Sequence, residues 1–373
     1  MFDCIIVGAG PAGSTAAYHL GRRGHQVLLL EQAEFPRTKP CSGGVSPAIA
    51  QYFDFDLSPA ISMKVEKIRY TWKMDDPVYG TLPKPMWIVE RGRFDQFLVE
   101  QGMSKGVEFR SAATVAGIKL VQDHWQVTVN GETLTGKYLI GADGVNGNVA
   151  QWLGLKQPKT RSSWLLNVNV PDLDLAEAMV TFEFGMIKNG SMWAFPHPQG
   201  YAITATAFIG DPPKTLEKEL REFASQYPGT ASDSIITYPL RLWDGDRPLH
   251  KDRAVLVGEA AAVGDPLSGE GIRPAIFTGV KAAEAIDQAI NGNANAIKEY
   301  SQVIHDHWGH DMVWAGRISG AFYRFPKVAY KAGVKKPIAT EIMSKILCGE
   351  MLYSDIAGRA IKRLTTSFLP GRG

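Results

Sequence analysis

The chain reads as an α/β protein in which a strand–turn–helix–strand domain is interrupted by mostly antiparallel β-sheet and followed by helices. Three observations predict this. A short apolar run, Phe2 to Val7, enters the glycine loop Gly8-Ala9-Gly10-Pro11-Ala12-Gly13 and then a helical pattern. Residues 62–90 and 161–240 carry short β-rich runs with many aromatics and prolines. From Gly271 onward helical periodicity dominates, broken at Pro326 and Pro337. Strand and helix periods of 2 and 3.6 separate these regions.

The opening unit is the most specific. The helical pattern runs through Arg23 and stops at Gly24, with Arg22 and Arg23 suited to a helix C-terminus. His25 to Leu30 follows as a buried strand ending at Glu31, 18 positions after Gly13. In this context Gly8, Gly10 and Gly13 read as a dinucleotide loop, with Ala12 in its helical first turn. The helix N-terminus offers free N–H groups to a pyrophosphate, and Glu31 can accept ribose hydroxyls. The loop alone does not separate NAD from FAD.

Further along, Arg93 to Gln101 reads as a helix and residues 107–140 as a β-meander. Asn130-Gly131 is its two-residue hairpin turn, because both positions tolerate positive φ. The meander ends in Gly141-Ala142-Asp143-Gly144. One helix, about residues 214–226, interrupts the later strands, and Ala254 to Val257 returns to a buried strand. Gly258-Glu259 and Asp265-Pro266-Leu267-Ser268-Gly269-Glu270-Gly271 then lead into a helix through Asn291. The expected domains are therefore 1–61, 91–160 and 241–300 for the nucleotide, 62–90 and 161–240 for substrate, and a helical region over 301–373. Read together, the ordered segments describe one FAD site: a phosphate cradle, a ribose acceptor and a helix for the flavin end.

Composition bounds the rest. The 373 residues are 45% hydrophobic and 21% charged, with a net charge of +2, so no global basic surface calls for nucleic acid. Cys4, Cys41 and Cys348 lack ligand spacing, which predicts no metal or iron–sulfur cluster and suits a reducing cytoplasm. No secretory signal or bilayer-spanning run is expected. His305, His307 and His310 are spaced around a helix rather than on one face, so a surface helix is expected there. From Ala321 to Gly373 there are ten Lys or Arg and three Asp or Glu. This basic tail reads as a solvated helical face, with peripheral contact to an anionic membrane or an acidic partner as the alternative.

The segments and their order resemble the geranylgeranyl reductase family, within the FAD enzymes that share the p-hydroxybenzoate hydroxylase fold. The resemblance covers nearly all of the first 300 residues. Lys39-Pro40-Cys41-Ser42-Gly43-Gly44 is similar to the family's Pro-Cys-Gly-Gly segment, Arg91 to Leu98 to its Arg-x-x-Phe-Asp-x-x-Leu segment, and Trp193-Ala194-Phe195-Pro196 to its Trp-x-Phe-Pro strand. The Pro-Leu-x-Gly-x-Gly turn is matched by Pro266 to Gly271.

The resemblance implies a Rossmann-like FAD domain with an inserted substrate sheet, and it implies roles. Arg91 contacts the pyrophosphate or ribityl chain, Val115 the adenine through its backbone, and Asp143 and Gly144 brace the nucleotide fold. Glu259 stands where the family usually has Asp on the ribityl hydroxyls. Pro266, Gly269, Gly271 and Ile272 form the turn and helix start beside the flavin ring. Cys41 is the candidate catalytic residue, and Trp193, Phe195 and Ser191 the substrate pocket. Ser191 occupies the position of a usual Tyr, and the common Ser and Arg are absent from Gly147 to Ala150.

The implied chemistry is hydride delivery from flavin N5 to a carbon–carbon double bond of an isoprenoid. The alternative is a monooxygenase that hydroxylates an aromatic ring, of a small molecule or of a partner protein's side chain. A third class is a flavoprotein that only binds FAD. The reductant is NAD(P)H or a protein electron carrier; no second dinucleotide loop is present to name it.

Overall fold

The computed structural model describes residues 1–356. Two β-sheets organise them. The first has a parallel core in the order Glu108–Arg110, Val27–Leu30, Phe2–Val7, Glu132–Gly141, Ala254–Leu256. Its central strands are apolar on both faces: Cys4, Ile5, Ile6, Leu28, Leu29 and Leu30 are all fully buried. Such continuous apolar runs are what a parallel sheet covered on both sides requires. Helix Pro11–Arg22 packs against both Arg91–Met103 and Ile272–Ile290 beside this sheet. A Cβ at Gly279 would lie 2.4 Å from the Ala12 carbonyl oxygen, so the first and last of these helices approach through a glycine.

Val115–Val121 and His124–Val129 continue from Glu132–Gly141 as an antiparallel meander. Asn130 and Gly131 turn its last hairpin with φ of 48° and 87°, the left-handed pair the sequence predicts. The strand expected from His25 starts only at Val27. Gly24 takes φ 86°, and the His25 ring turns to Asp287, 2.7 Å away.

The second sheet runs Gly44–Val45, Asp75–Ile88, Met63–Trp72, Met179–Phe184, Gly190–His197, Gly200–Ala207, Arg161–Asn169. Thr230–Ala231 and Ile236–Leu240 pair along its outer edge. Met63–Trp72 and Met179–Phe184 pair in parallel, the other neighbours antiparallel. The two-residue strand Gly44–Val45 was not legible in the sequence; it is set by pairing with Trp87 and Ile88. Helix Leu216–Ala224 buries Leu220 and Phe223 with Leu166, Val168 and Ile203 of this sheet.

The C-terminal helices serve the same sheet. Tyr323, Tyr330, Val334 and Cys348 join one apolar cluster with Tyr70, Phe184, Trp193 and Phe195. Helix His310–Arg324 is preceded by a widened turn, His305–Gly309. Trp308 points inward to the Val263 carbonyl at 2.9 Å, and Gly309 sits where a Cβ would lie 2.4 Å from Trp243. His305 pairs with Asp246 at 3.0 Å, while His307 and His310 are exposed. Among the described residues no group of three His, Cys, Asp or Glu could hold a metal ion, and no helix is long and apolar enough to cross a membrane. The part of the basic tail from residue 357 onward lies outside the described residues.

Candidate active site

A cavity of about 680 Å³ lies between the two sheets and draws on both. Its floor is the glycine loop. Gly8 takes φ 105°, and a Cβ there would sit 2.3 Å from the Ala142 oxygen. Gly13 does not line the cavity: a Cβ there would be 1.9 Å from the Gly8 oxygen, so it serves the loop's own packing. Gly10 and Ala12 do line it. Gly10 precedes helix Pro11–Arg22 without any side-chain cap, and Pro11 supplies no N–H. The remaining first-turn N–H groups and the dipole favour an anion at this end.

Glu31 leaves the end of its strand and folds over the loop. Its carboxylate accepts from Ala9 N and Ala33 N, each at 3.1 Å, and faces the Arg37 guanidinium at 3.4 Å. Val115 lines the same end of the cavity. The backbone there is tied to Glu31, because Ala113 N donates to the Glu31 carbonyl at 2.8 Å.

Arg91 opens helix Arg91–Met103 and is buried. Both arms of its guanidinium meet the fully buried Asp95, at 2.8 and 2.7 Å, and Arg37 meets the same carboxylate at 2.9 Å. Burial opposes the Arg91 charge, but Asp95 outweighs it, with help from the Cys41 thiol, and holds the guanidinium above its ordinary pKa. The bidentate pair fixes a cation at the cavity wall.

Cys41 is placed between this cation and the second sheet. Gly43 N donates to its sulfur at 3.3 Å. The segment that follows is pressed against the sheet: Trp193 Nε1 donates to Ser42 Oγ at 2.9 Å, and His197 Nε2 stands 3.0 Å from the Ser42 carbonyl. A Cβ at Gly44 would lie 2.0 Å from the Phe195 ring, which explains a glycine beside that aromatic. Burial lowers the His197 pKa, so the ring is neutral at physiological pH.

Asp143 lines the cavity and accepts Val149 N at 2.8 Å through Oδ2, while Oδ1 is buried without a partner. Burial raises its pKa. Glu259 reaches across to Lys39 at 3.1 Å. Lys39 Nζ also stands 3.7 Å from the position of a Cβ on Gly144.

The turn before helix Ile272–Ile290 is held internally. Asp265, itself buried, accepts Leu267 N at 2.7 Å and Ser268 N at 3.1 Å, and Gly269 adopts φ 73°. Ser268, Gly269, Glu270, Gly271 and Ile272 line the cavity, and Gly271 caps the helix with no side-chain acceptor. Arg273 pairs with Glu270 at 2.9 Å. Pro266 does not line the cavity; its ring packs toward Gly316 of the C-terminal helix, 3.9 Å from a Cβ there.

The apolar end of the cavity is formed by Met86, Phe182, Trp193, Phe195 and Leu347. Ser191 does not belong to it. It shares a face with Trp193 and Phe195, but its hydroxyl is buried against Tyr323 Oη at 3.1 Å. Tyr323 in turn donates to the Leu267 carbonyl at 3.1 Å and stacks on Phe208.

Arg37, Lys39, Tyr238, Glu270, Tyr323 and Tyr353 were missed in the sequence. For Arg37 and Lys39 a signal existed, two cations just before Pro40-Cys41. For Tyr323 and Tyr353 none did, because they act from far along the chain. Tyr353 Oη donates to Asp265 Oδ2 at 2.6 Å. Tyr353→Phe deprives a buried carboxylate of a donor, and it is expected to lower unfolding stability by about 1.5–3 kcal/mol. The shift of the urea midpoint at constant slope checks it.

The glycine cradle, the free helix N-termini and the acceptor Glu31 together fit FAD. Comparison with known proteins agrees. The profile described as FAD binding domain matches residues 60–307, and that described as FAD dependent oxidoreductase matches residues 3–64. An uncharacterised protein of Methanosarcina barkeri is 31% identical over 302 residues, covering 78% of this chain and 75% of its own. Digeranylgeranylglycerophospholipid reductase 1 of Methanothermobacter thermautotrophicus is 28% identical, covering 83% and 84%. The crystal structure of a geranylgeranyl bacteriochlorophyll reductase-like protein from Thermoplasma acidophilum superposes with a TM-score of 0.76 at 22% identity, over 94% of this chain and 92% of that one. With its loop, its two sheets and these likenesses, the chain belongs to the geranylgeranyl reductase family of FAD-dependent oxidoreductases.

Proposed function

We propose that this protein saturates isolated carbon–carbon double bonds of a prenyl chain. The observation that carries the reading is the continuity of the cavity, from the glycine loop to the apolar wall of Met86, Phe182, Trp193, Phe195 and Leu347. An apolar wall beside a flavin cradle suits a hydrocarbon substrate. The Methanothermobacter relative, a digeranylgeranylglycerophospholipid reductase, supports the same class.

Bound and reduced, FAD supplies the hydride. The chain's own residues do the rest. The Gly8–Gly13 loop and the helix behind it hold the pyrophosphate, and Glu31 accepts the ribose hydroxyls. Arg91, braced by Asp95, adds fixed positive charge. Glu259 with Lys39 serves the ribityl side. The N-terminus of helix Ile272–Ile290 offers its dipole to negative charge on the reduced ring. Trp193 and Phe195 exclude water and align the chain, which an unactivated alkene needs because it is a poor hydride acceptor. Cys41 and Tyr238 are protic groups on the cavity wall. The reductant is NAD(P)H or a protein electron carrier.

The test is anaerobic. Dithionite-reduced holoenzyme is mixed with geranylgeranyl diphosphate or a digeranylgeranyl glycerophospholipid. The expected result is reoxidation of the flavin, with two hydrogens gained per double bond by mass spectrometry. No reoxidation, together with oxygen-dependent hydroxylation of a phenol or indole, would replace this reading with the monooxygenase one.

A further inference from the structure

We propose that the outer face of residues 324–338 docks this protein onto an anionic lipid bilayer. From Met312 through Thr340 the sequence has six Lys or Arg and no Asp or Glu. The structure divides the stretch between two faces. Inward, Tyr323, Tyr330 and Val334 are buried in the apolar cluster on the second sheet. Outward, Phe325, Val328 and Ile338 are 63%, 67% and 65% exposed.

Cations are interleaved with these apolar side chains. Arg324, Lys327, Lys331, Lys335 and Lys336 are all exposed. Lys335 pairs with Asp76 at 2.6 Å. Arg324, Lys327, Lys331 and Lys336 make no ion pair among the described residues. A buried-face requirement explains the inward residues but not three large exposed apolar side chains beside four cations that have no ion pair among the described residues.

A bilayer surface accounts for both. Apolar side chains enter the interface, and cations sit at the level of anionic headgroups; either signal alone binds weakly, and the two together bind stably. A second copy of this chain is a poorer occupant, because the same face would bring its cations against their like. The segment also leads to the site. It runs into helix Pro337–Leu347, and Leu347 lines the apolar end of the cavity. Docking would bring that end toward the hydrocarbon in which prenyl lipids reside. This consequence rests on the reductase reading, whereas the docking itself does not.

The test uses FAD-loaded full-length protein and sedimentation with vesicles, without any substrate. Binding is expected to vesicles of phosphatidylcholine plus phosphatidylglycerol, to fall as salt rises, and to be weak on phosphatidylcholine alone. Lys327→Gln with Lys331→Gln should weaken binding roughly twenty-five-fold, at about fivefold per cation. Phe325→Ser with Val328→Ser should weaken it at least about tenfold. Both pairs are solvent-facing, so FAD content and melting temperature serve as controls for folding. The proposal is overturned if the wild type ignores anionic vesicles at low salt, or if both variants bind like it. It is equally overturned if ultracentrifugation shows a dimer that the Phe325→Ser and Val328→Ser variant dissolves.

Discussion

Gly10→Val should give a folded, colourless protein. A Cβ at Gly10 meets nothing of the chain closer than Arg37 Nη2 at 3.9 Å, so the apo fold accommodates the side chain. Gly10 lines the cavity directly before the helix N-terminus. The added methyls therefore occupy the space a pyrophosphate needs beside the free N–H groups. Losing two or so charge-assisted hydrogen bonds at about 1.5–3 kcal/mol each weakens FAD by at least about a hundredfold. Absorbance near the flavin bands and fluorescence titration with FAD measure it, and circular dichroism reports the fold. Gly13→Val is the contrasting case. Its Cβ would strike the Gly8 oxygen at 1.9 Å, so stability falls together with FAD. Retention of full FAD by Gly10→Val would mean that this loop does not hold the dinucleotide.

The contrast between Gly10 and Gly13 shows what the sequence can and cannot deliver. Both were legible as members of one loop, because the spacing of glycines between a strand and a helix is a local pattern. Their separate positions, one lining the cavity and the other packed on Gly8, emerged only in three dimensions. Glu31 was legible for the same local reason. Its grip on Ala9 N and Ala33 N was not, since it depends on how the strand end meets the loop. The resemblance to a known family pointed to Arg91, Val115, Glu259 and the Pro266–Ile272 turn, and of these Arg91, Val115, Glu259, Gly269, Gly271 and Ile272 line the cavity. It also drew Ser191 and Pro266 toward the cavity, although neither lines it. Ser191 shares the face of Trp193 and Phe195, and alternation along a strand cannot foresee that Tyr323, 132 residues away, takes up its hydroxyl. Asp265 and Tyr353, 88 residues apart, make the same point for the turn. Periodicity says which face is buried; it does not say which distant side chain arrives there.

Such an arrival supplies the second large effect. Tyr238→Phe should lower alkene reduction about a hundredfold or more while leaving FAD affinity and the rate of flavin reduction near wild type, the range general acid groups contribute. Saturating an alkene requires a proton on the carbon that does not receive the hydride, and an apolar cavity has few sources of one. Tyr238 and Cys41 both line the cavity, and Tyr238 faces the Cys41, Thr204 and Ser163 side chains. Burial pushes the phenol upward, and nearby Cys41 and Glu259 add to it, so the hydroxyl keeps its proton across physiological pH. The shift keeps the phenol protonated before the transition state, as an acid must be, at the cost of a weaker driving force for the transfer itself. Cys41→Ser, with Arg91 and Gly43 N still beside it, retains a protic group and should cost less than Tyr238→Phe. Single-turnover oxidation of reduced enzyme by geranylgeranyl diphosphate, run in H₂O and in D₂O, separates the two. A solvent isotope effect present in the wild type and in Cys41→Ser is expected. Full activity in Tyr238→Phe with loss of the isotope effect only in Cys41→Ser would transfer the proton to the thiol.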